Sequence, residues 1–323
     1  MPTTAQSKPM LRAKALRAGS TLRLVSPASW FDPAKVQTGM ETLRAMGYQP
    51  QLAQHALARH GQYSAGTPQQ RLEDLHAAFA DPSVDAVLCT RGGYGTAELL
   101  AGLDVTLIEK NPKAVIGCSD ATTLLTWLHD ATGLVTFHGP MAAGDFTRAN
   151  GVDLPSWHAA LQQAAPWNLS AQDGLRTLKP GHAHGKFYGG CLSMLVASLG
   201  TPYEIRTEDT VLFLEDVSTK PYQIDRMLMQ LRLAGKLRGV RGIVFGPMRD
   251  CGQPGQPEDF LEQVLLRVLE DFSGPIAIGL RSGHVLERNI TLPIGVACEL
   301  DATLPNAPAL HFLGSAVRLE PRA

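Results

Sequence analysis

The sequence predicts an α/β fold: a mostly parallel sheet layered with helices in its first half, then a smaller, sheet-rich α+β domain. Three observations carry this. Short apolar runs bounded by Gly, Pro or Asp alternate with stretches of helical spacing up to about His138, the pattern of successive βαβ units. From about Ala164 to Gly185 the periodicity fades, and Pro166, Pro180 and several glycines interrupt it. Beyond that stretch, short strand-like runs become frequent. The organisation expected is an N-terminal domain over 1–165, a linker over 166–185 and a C-terminal domain over 186–323.

In chain order, Thr21–Ser26 reads as the first strand, closed by Pro27. Pro33–Met46 has helical character and stops at Gly47, a C-terminal cap residue. Tyr48–Ala53 is a second strand. Thr67, Pro68 and Gln70 form a capping box with proline at the first helical position, and the helix they start runs to Ala80, before Asp81-Pro82. Val84–Cys89 is a strand that feeds directly into Arg91-Gly92-Gly93-Tyr94-Gly95. A helical stretch over Ala97–Lys110 leads to the apolar run Ala114–Ile116, ended by Gly117. Asp120, Thr122 and Thr123 then open a helix with Leu124, Leu125 and Leu128 on one face, and Gly133–His138 is the next strand. In the second half, Gly190–Leu199, Tyr222–Leu233 and Glu258–Leu269 read as helices. Val211–Leu214, Val240–Phe245 and Pro275–Ile278 read as strands, with short β segments at Asn289–Pro293, Ala297–Leu300 and Ala309–Leu319.

Composition excludes several classes. A formal net charge of -1, with both signs spread along the chain, provides no electrostatic footprint for nucleic acid or an anionic membrane. The basic N-terminal stretch lacks the apolar core of a secretory signal, and no run approaches the roughly 18 apolar residues of a membrane helix. The five cysteines are scattered without C-x-x-C spacing, which speaks against a disulfide framework or structural zinc. The compartment expected is the reducing cytoplasm.

The loops at the carboxyl ends of parallel strands are where ligands bind, and three candidates fall there. Ser119 stands at a strand-to-helix corner, where it is either a helix cap or a nucleophile presented by a strained elbow. The Arg91–Gly95 loop, with two adjacent glycines after a buried strand, is an oxyanion hole, a phosphate cradle or a tight turn. The phosphate reading lacks the G-x-G-x-x-G and G-x-x-x-x-G-K-[ST] spacings. His138, at a strand end, is placed to line the cleft, and His284 follows Arg281-Ser282-Gly283 in a glycine loop. His182 and His184 have the H-x-H spacing of metal ligands but no third ligand with recognisable spacing, so they read as solvated linker. Glu215 closes the apolar strand VLFLE, where a carboxylate needs a partner or a cleft; Arg226 on the next helix is one candidate partner.

Taken together, Arg91-Gly92-Gly93-Tyr94-Gly95, Gly117-x-Ser119-Asp120-x-Thr122 and Thr136-Phe137-His138-Gly139-Pro140 resemble the first half of an LD-carboxypeptidase, the serine peptidase family of muramoyltetrapeptide carboxypeptidase and the microcin C self-immunity peptidase. Leu214-Glu215-Asp216, Tyr222-x-x-Asp225-Arg226-Met227-Leu228, Gly283-His284 and Leu292-Pro293-Ile294-Gly295 continue the resemblance over nearly the whole chain. It implies a flavodoxin-like N-terminal domain carrying Ser119 as nucleophile. A C-terminal domain then supplies His284 as general base and Glu215 as the residue orienting it. The backbone N–H groups of Gly93 and Asp120 form the implied oxyanion hole. Cys118 stands where that family often has an aromatic residue, while the register keeps Ser119 two residues after Gly117.

The resemblance also implies release of the terminal D-alanine from a murein tetrapeptide in peptidoglycan recycling. It implies a homodimer, with neither cofactor nor metal. A peptidyl-nucleotide antibiotic is the other substrate it suggests. With 6% aromatic residues and no Trp-rich insertion to hold a base, the murein peptide is the preferred reading. A non-catalytic anion-binding protein has no need of Ser, Glu and His together.

Overall fold

A computed structural model describes residues 8–305 and 307–319. Its first sheet grows from strands buried on both faces: β1 (Thr21–Val25), β3 (Ala86–Cys89), β4 (Ala114–Gly117) and β5 (Thr136–His138), with β2 (Gln49–Leu52) at one edge. Continuous apolar runs suit strands covered by helices on both sides. These five strands are all parallel and run in the order β2-β1-β3-β4-β5, the flavodoxin-like order.

The helices between them start where the sequence places their caps. Asp32 accepts from the Ala34 N–H to open α1 (Pro33–Ala45), and Gly47, at φ +89°, follows its end. The expected capping box opens α2 (Pro68–Ala80). The single helix expected over 97–110 is instead two pieces, a 3-10 helix (Thr96–Gly102) and α3 (Val105–Lys110). The break arises because Asp104 takes an extended conformation and caps a new start, accepting from the Leu107 N–H. After β4, α4 (Thr122–Thr132) buries Leu124, Leu125 and Leu128. Its end is closed by Gly133 in the left-handed conformation. One further helix, α5 (Leu154–Leu161), starts at Asp153, which accepts from the Ser156 N–H.

The second sheet has eight strands. Four form a parallel centre linked by helices: β8 (His182–Cys191), β9 (Thr210–Glu215), β10 (Val240–Phe245) and β11 (Ile276–Ile278), joined by α6 (Leu192–Ala197), α7 (Pro221–Leu233) and α8 (Phe260–Val268). Antiparallel strands β6 (Trp167–Ser170), β7 (Arg176–Lys179), β13 (Ala297–Asp301) and β14 (Ala309–Phe312) complete the order β6-β14-β13-β8-β9-β10-β11-β7.

The stretch expected as a linker over 166–185 is thus strand, not connection. Two of its strands, β6 and β7, are the two edges of the sheet. Edge strands are half-exposed and need few apolar residues, so their pattern is faint in the sequence. Pro180 and Gly181 sit in the turn between β7 and β8. The helix expected from Gly190 starts two residues later, because β8 continues through Cys191.

One strand crosses between the halves. β12 (Leu292–Ile294) adds to the first sheet, antiparallel to β5, with Leu292 opposite His138 and Ile294 opposite Thr136. The apolar core is likewise shared: Leu124, Leu125 and Leu128 of α4 lie in one buried cluster with Leu192, Leu212 and Ile224. Among the described residues, no helix is long and apolar enough to cross a membrane.

Candidate active site

The site forms where the carboxyl ends of β3, β4, β9 and the loop after β11 converge. Gly117 ends β4, and Ser119 then turns the chain with φ +60°. A non-glycine residue there is strained, and such strain persists only where the surroundings enforce it. The Asp120 carboxylate, buried, supplies part of that enforcement. It accepts from the Thr96 N–H at 2.9 Å and the Thr96 hydroxyl at 2.5 Å, tying the elbow to the end of the glycine loop.

The loop after β3 lies against the elbow. A Cβ on Gly92 would sit 2.6 Å from Ser119 Cβ and 2.7 Å from its Oγ, so glycine is required for this approach. Gly93 has φ +114° and packs equally closely on Ser29, whose hydroxyl accepts from the Tyr94 N–H. Beneath the loop, the buried Arg71 donates from Nη1 to the carbonyls of Pro27 and Gly95, each at 2.9 Å, and pairs with Glu98. These contacts hold the backbone of Gly92 and Gly93 beside Ser119.

From the second sheet, Glu215 ends β9 with its side chain wholly buried. Its Oε2 receives His284 Nδ1 at 2.7 Å and the His284 backbone N–H at 3.2 Å. The opposite ring nitrogen, Nε2, lies 3.1 Å from Ser119 Oγ. Ser119, His284 and Glu215 therefore form one hydrogen-bonded line across the two sheets. Gly283 permits it: at φ +97°, a Cβ there would lie 2.6 Å from Glu215 Oε2. Asn289 fixes the same loop by donating to the Gly283 carbonyl at 3.1 Å and accepting from its N–H at 2.9 Å.

His138 does not line the cleft. It is wholly buried behind Glu215, with Nε2 3.6 Å from Glu215 Oε1, an approach too long for a hydrogen bond. On its other side, Nδ1 lies 3.1 Å from Ser282 Oγ, whose own proton goes to the Ile290 carbonyl. Nδ1 therefore donates to that hydroxyl. Nor does Glu215 pair with Arg226, whose guanidinium instead lies 5.6 Å from the centre of the Tyr222 ring.

The electrostatics follow this arrangement. Burial by itself would raise the Glu215 carboxyl, but His138 and His284 outweigh it and hold it at about 2. Burial by itself would lower His284, yet Glu215 turns the balance and raises it above its ordinary value. Cys118 is different: burial first, then nearby Asp145 and Glu215, push its thiol far up, so it stays protonated next to Ser119.

The sequence alone put forward Ser119, the glycine loop, Glu215, His284 and His138, and all of these but His138 meet at the cleft. Arg71, Asn289 and Ser282 came from the structure. Arg71 carried a signal, since it falls at helical spacing with the buried Leu75, Ala78 and Phe79, where a charge must have a buried partner.

A serine in a strained elbow, lined up with histidine and glutamate at the carboxyl edge of a doubly wound sheet, is the arrangement of a serine hydrolase. Residues 22–139 match the LD-carboxypeptidase N-terminal domain, and residues 184–300 match the LD-carboxypeptidase C-terminal domain. A Bacillus subtilis protein named "Probable murein peptide carboxypeptidase" is 40% identical over 293 residues, 90% of this chain and 91% of that protein. The "Murein tetrapeptide carboxypeptidase" of Pseudomonas aeruginosa is 31% identical over 299 residues, covering 86% and 92% of the two chains. The solved structure of MccF in complex with glutamyl sulfamoyl guanosine shares the fold at a TM-score of 0.87, with 21% identity over 95% of this chain and 100% of its own. This chain belongs to the LD-carboxypeptidase family and is a serine-type carboxypeptidase.

Proposed function

We propose that this enzyme releases the terminal D-alanine from murein tetrapeptides, working in the cytoplasm in peptidoglycan recycling. Ser119 Oγ attacks the carbonyl carbon of the last peptide bond while His284 Nε2 takes its proton. His284 then gives that proton to the departing D-alanine amine, leaving an acyl-enzyme that water hydrolyses with His284 again as base. Glu215 fixes the tautomer that leaves Nε2 free and stabilises the imidazolium formed at each step. The N–H groups of Gly93 and Asp120 receive the oxyanion. The observation that carries this reading is the hydrogen-bonded line from Glu215 through His284 to Ser119. The names of the Bacillus and Pseudomonas relatives support the murein substrate.

The experiment is to incubate the enzyme with a defined murein tetrapeptide and identify the products by mass spectrometry. Parallel arms contain an all-L tetrapeptide, a C-terminal amide and an aminoacyl sulfamoyl nucleoside of the kind bound by MccF. Tripeptide plus D-alanine from the first arm, with little turnover in the others, is expected. Equal cleavage of the all-L peptide or the amide would defeat the substrate assignment, and preference for the nucleoside conjugate would reassign it. Light scattering on the purified enzyme tests the homodimer that we infer alongside.

A further inference from the structure

The outer face of the second sheet carries a cluster of side chains that neither the reaction nor the core uses. His182 and His184 are two residues apart on β8, so both point outward, and Ala183 between them is buried. The strand register sets Glu299 opposite His184 and Asp301 opposite His182; on the next strand, His311 stands opposite Glu299. Directly paired residues share a face, with Cβ atoms about 5 Å apart. Three imidazoles and two carboxylates therefore meet on one patch of β8, β13 and β14.

His182 Nε2 lies 2.5 Å from Glu299 Oε1, and His184 Nδ1 lies 4.0 Å from Glu299 Oε2. The two imidazole rings meet edge to face at 4.7 Å. One ligand atom from each of His182, His184 and Glu299 falls within 4.8 Å of the others. Tetrahedral Zn–N and Zn–O bonds of about 2.0–2.2 Å place donors roughly 3.3–3.6 Å apart. Closing the gap takes modest rotation of side chains that are 28 to 59% exposed.

We propose that His182, His184 and Glu299, with His311 placed to complete the set, bind a first-row divalent transition metal, Zn²⁺ being the reference ion. Two or three imidazoles with one carboxylate suit zinc, nickel or copper, whereas magnesium and calcium prefer an all-oxygen set. The bound ion staples β8 to β13 and β14. It acts on stability and not on turnover, because His184 is seven residues from Cys191 at the active-site end of β8, about 23 Å along the strand.

The test uses tag-free full-length enzyme stripped with a chelator and titrated with ZnCl₂ by calorimetry, with thermal melts alongside. Expected are one saturable site per chain that Mg²⁺ does not compete for, and a rise in Tm with Zn²⁺. His184→Ala and Glu299→Gln should each weaken binding tenfold or more and remove the rise in Tm. Peptidase turnover should be equal in Zn²⁺ and in EDTA. Absence of saturable uptake, or unchanged affinity in a folded His182→Ala/His184→Ala double variant, overturns the site. Loss of turnover on chelation that zinc restores overturns its structural role.

Discussion

His284 and Glu215 meet at 2.7 Å, and His182 and Glu299 at 2.5 Å, yet the two pairs live in different worlds. Glu215 is wholly buried, with its second oxygen facing His138 and its stem wedged against Gly246 and Gly283, where any Cβ would come within about 2.6 Å of it. Glu299 is 28% exposed and His182 40% exposed, so water competes for every bond the outer pair makes. Contact distance alone does not make a catalytic carboxylate; what does is a surrounding that fixes the geometry and turns an imidazole into a base. The outer pair has the adaptable geometry of a metal ligand set, and the inner pair has the rigidity of a relay.

The largest effect is expected from Ser119→Ala, which removes the proposed nucleophile and leaves the inner pair without its task. Turnover should fall by on the order of 10⁶ with the fold intact. Near-normal activity in this variant, measured by D-alanine release, would mean that the line of hydrogen bonds is structural. Glu215→Gln keeps the shape but can offer an amide N–H to the ring, and kcat should drop roughly 10²- to 10⁴-fold with KM little changed.

The same variant sharpens the comparison through pH. In the native enzyme burial alone would lower His284, but Glu215 outweighs it and raises it above its ordinary value, and as the proposed base it must be unprotonated. The acid limb of kcat/KM should therefore lie above the range of an ordinary imidazole and move to lower pH in Glu215→Gln. An unmoved limb would take Glu215 away from His284.

His138→Phe probes the other side of Glu215. The carboxyl is held at about 2, below the 4.5 ordinary for a glutamate in an unfolded chain. Its contribution to stability is complete above that unfolded value and is lost as pH falls toward 2. Without His138 the depression shrinks, so the midpoint of acid unfolding, followed by circular dichroism, should move to higher pH. An unchanged midpoint would show that His284 alone holds the charge. The smallest effect is expected from Glu299→Gln, which should leave kcat and, in metal-free buffer, Tm within error of the native enzyme, as exposed ion pairs contribute little.

How much of this was legible in the sequence depended on how local the signal was. The elbow at Ser119 is written in a dozen consecutive residues, with an apolar run, a glycine and a helical apolar pattern, and it folds as strand, corner and helix, although no side chain caps the helix start. Glu215 was visible as a carboxylate ending an apolar strand. His284 was one glycine-loop histidine among ten in the chain, and it needed the family resemblance, because its partners lie 69 and 165 residues away. The edge strands β6 and β7 were missed because sheet edges carry a weak apolar pattern. The outer cluster was equally hidden, since Glu299 meets His184 through strand register and not through spacing. The helix at Leu154 had its signal in Asp153 and Pro155.

The strand that completes the first sheet has a consequence for how the enzyme comes into being. β12 pairs with β5 and follows it in the chain by more than 150 residues, and His284 emerges 165 residues after Ser119. At synthesis rates of about 5–20 residues per second, the nascent chain carries Ser119 for roughly ten to thirty seconds before His284 is made. Throughout that interval β5 presents an open edge, a template for pairing with another nascent chain. The chain thus assembles the triad proposed here only late in synthesis, and β12, which begins eight residues after His284, seals the open edge soon afterwards.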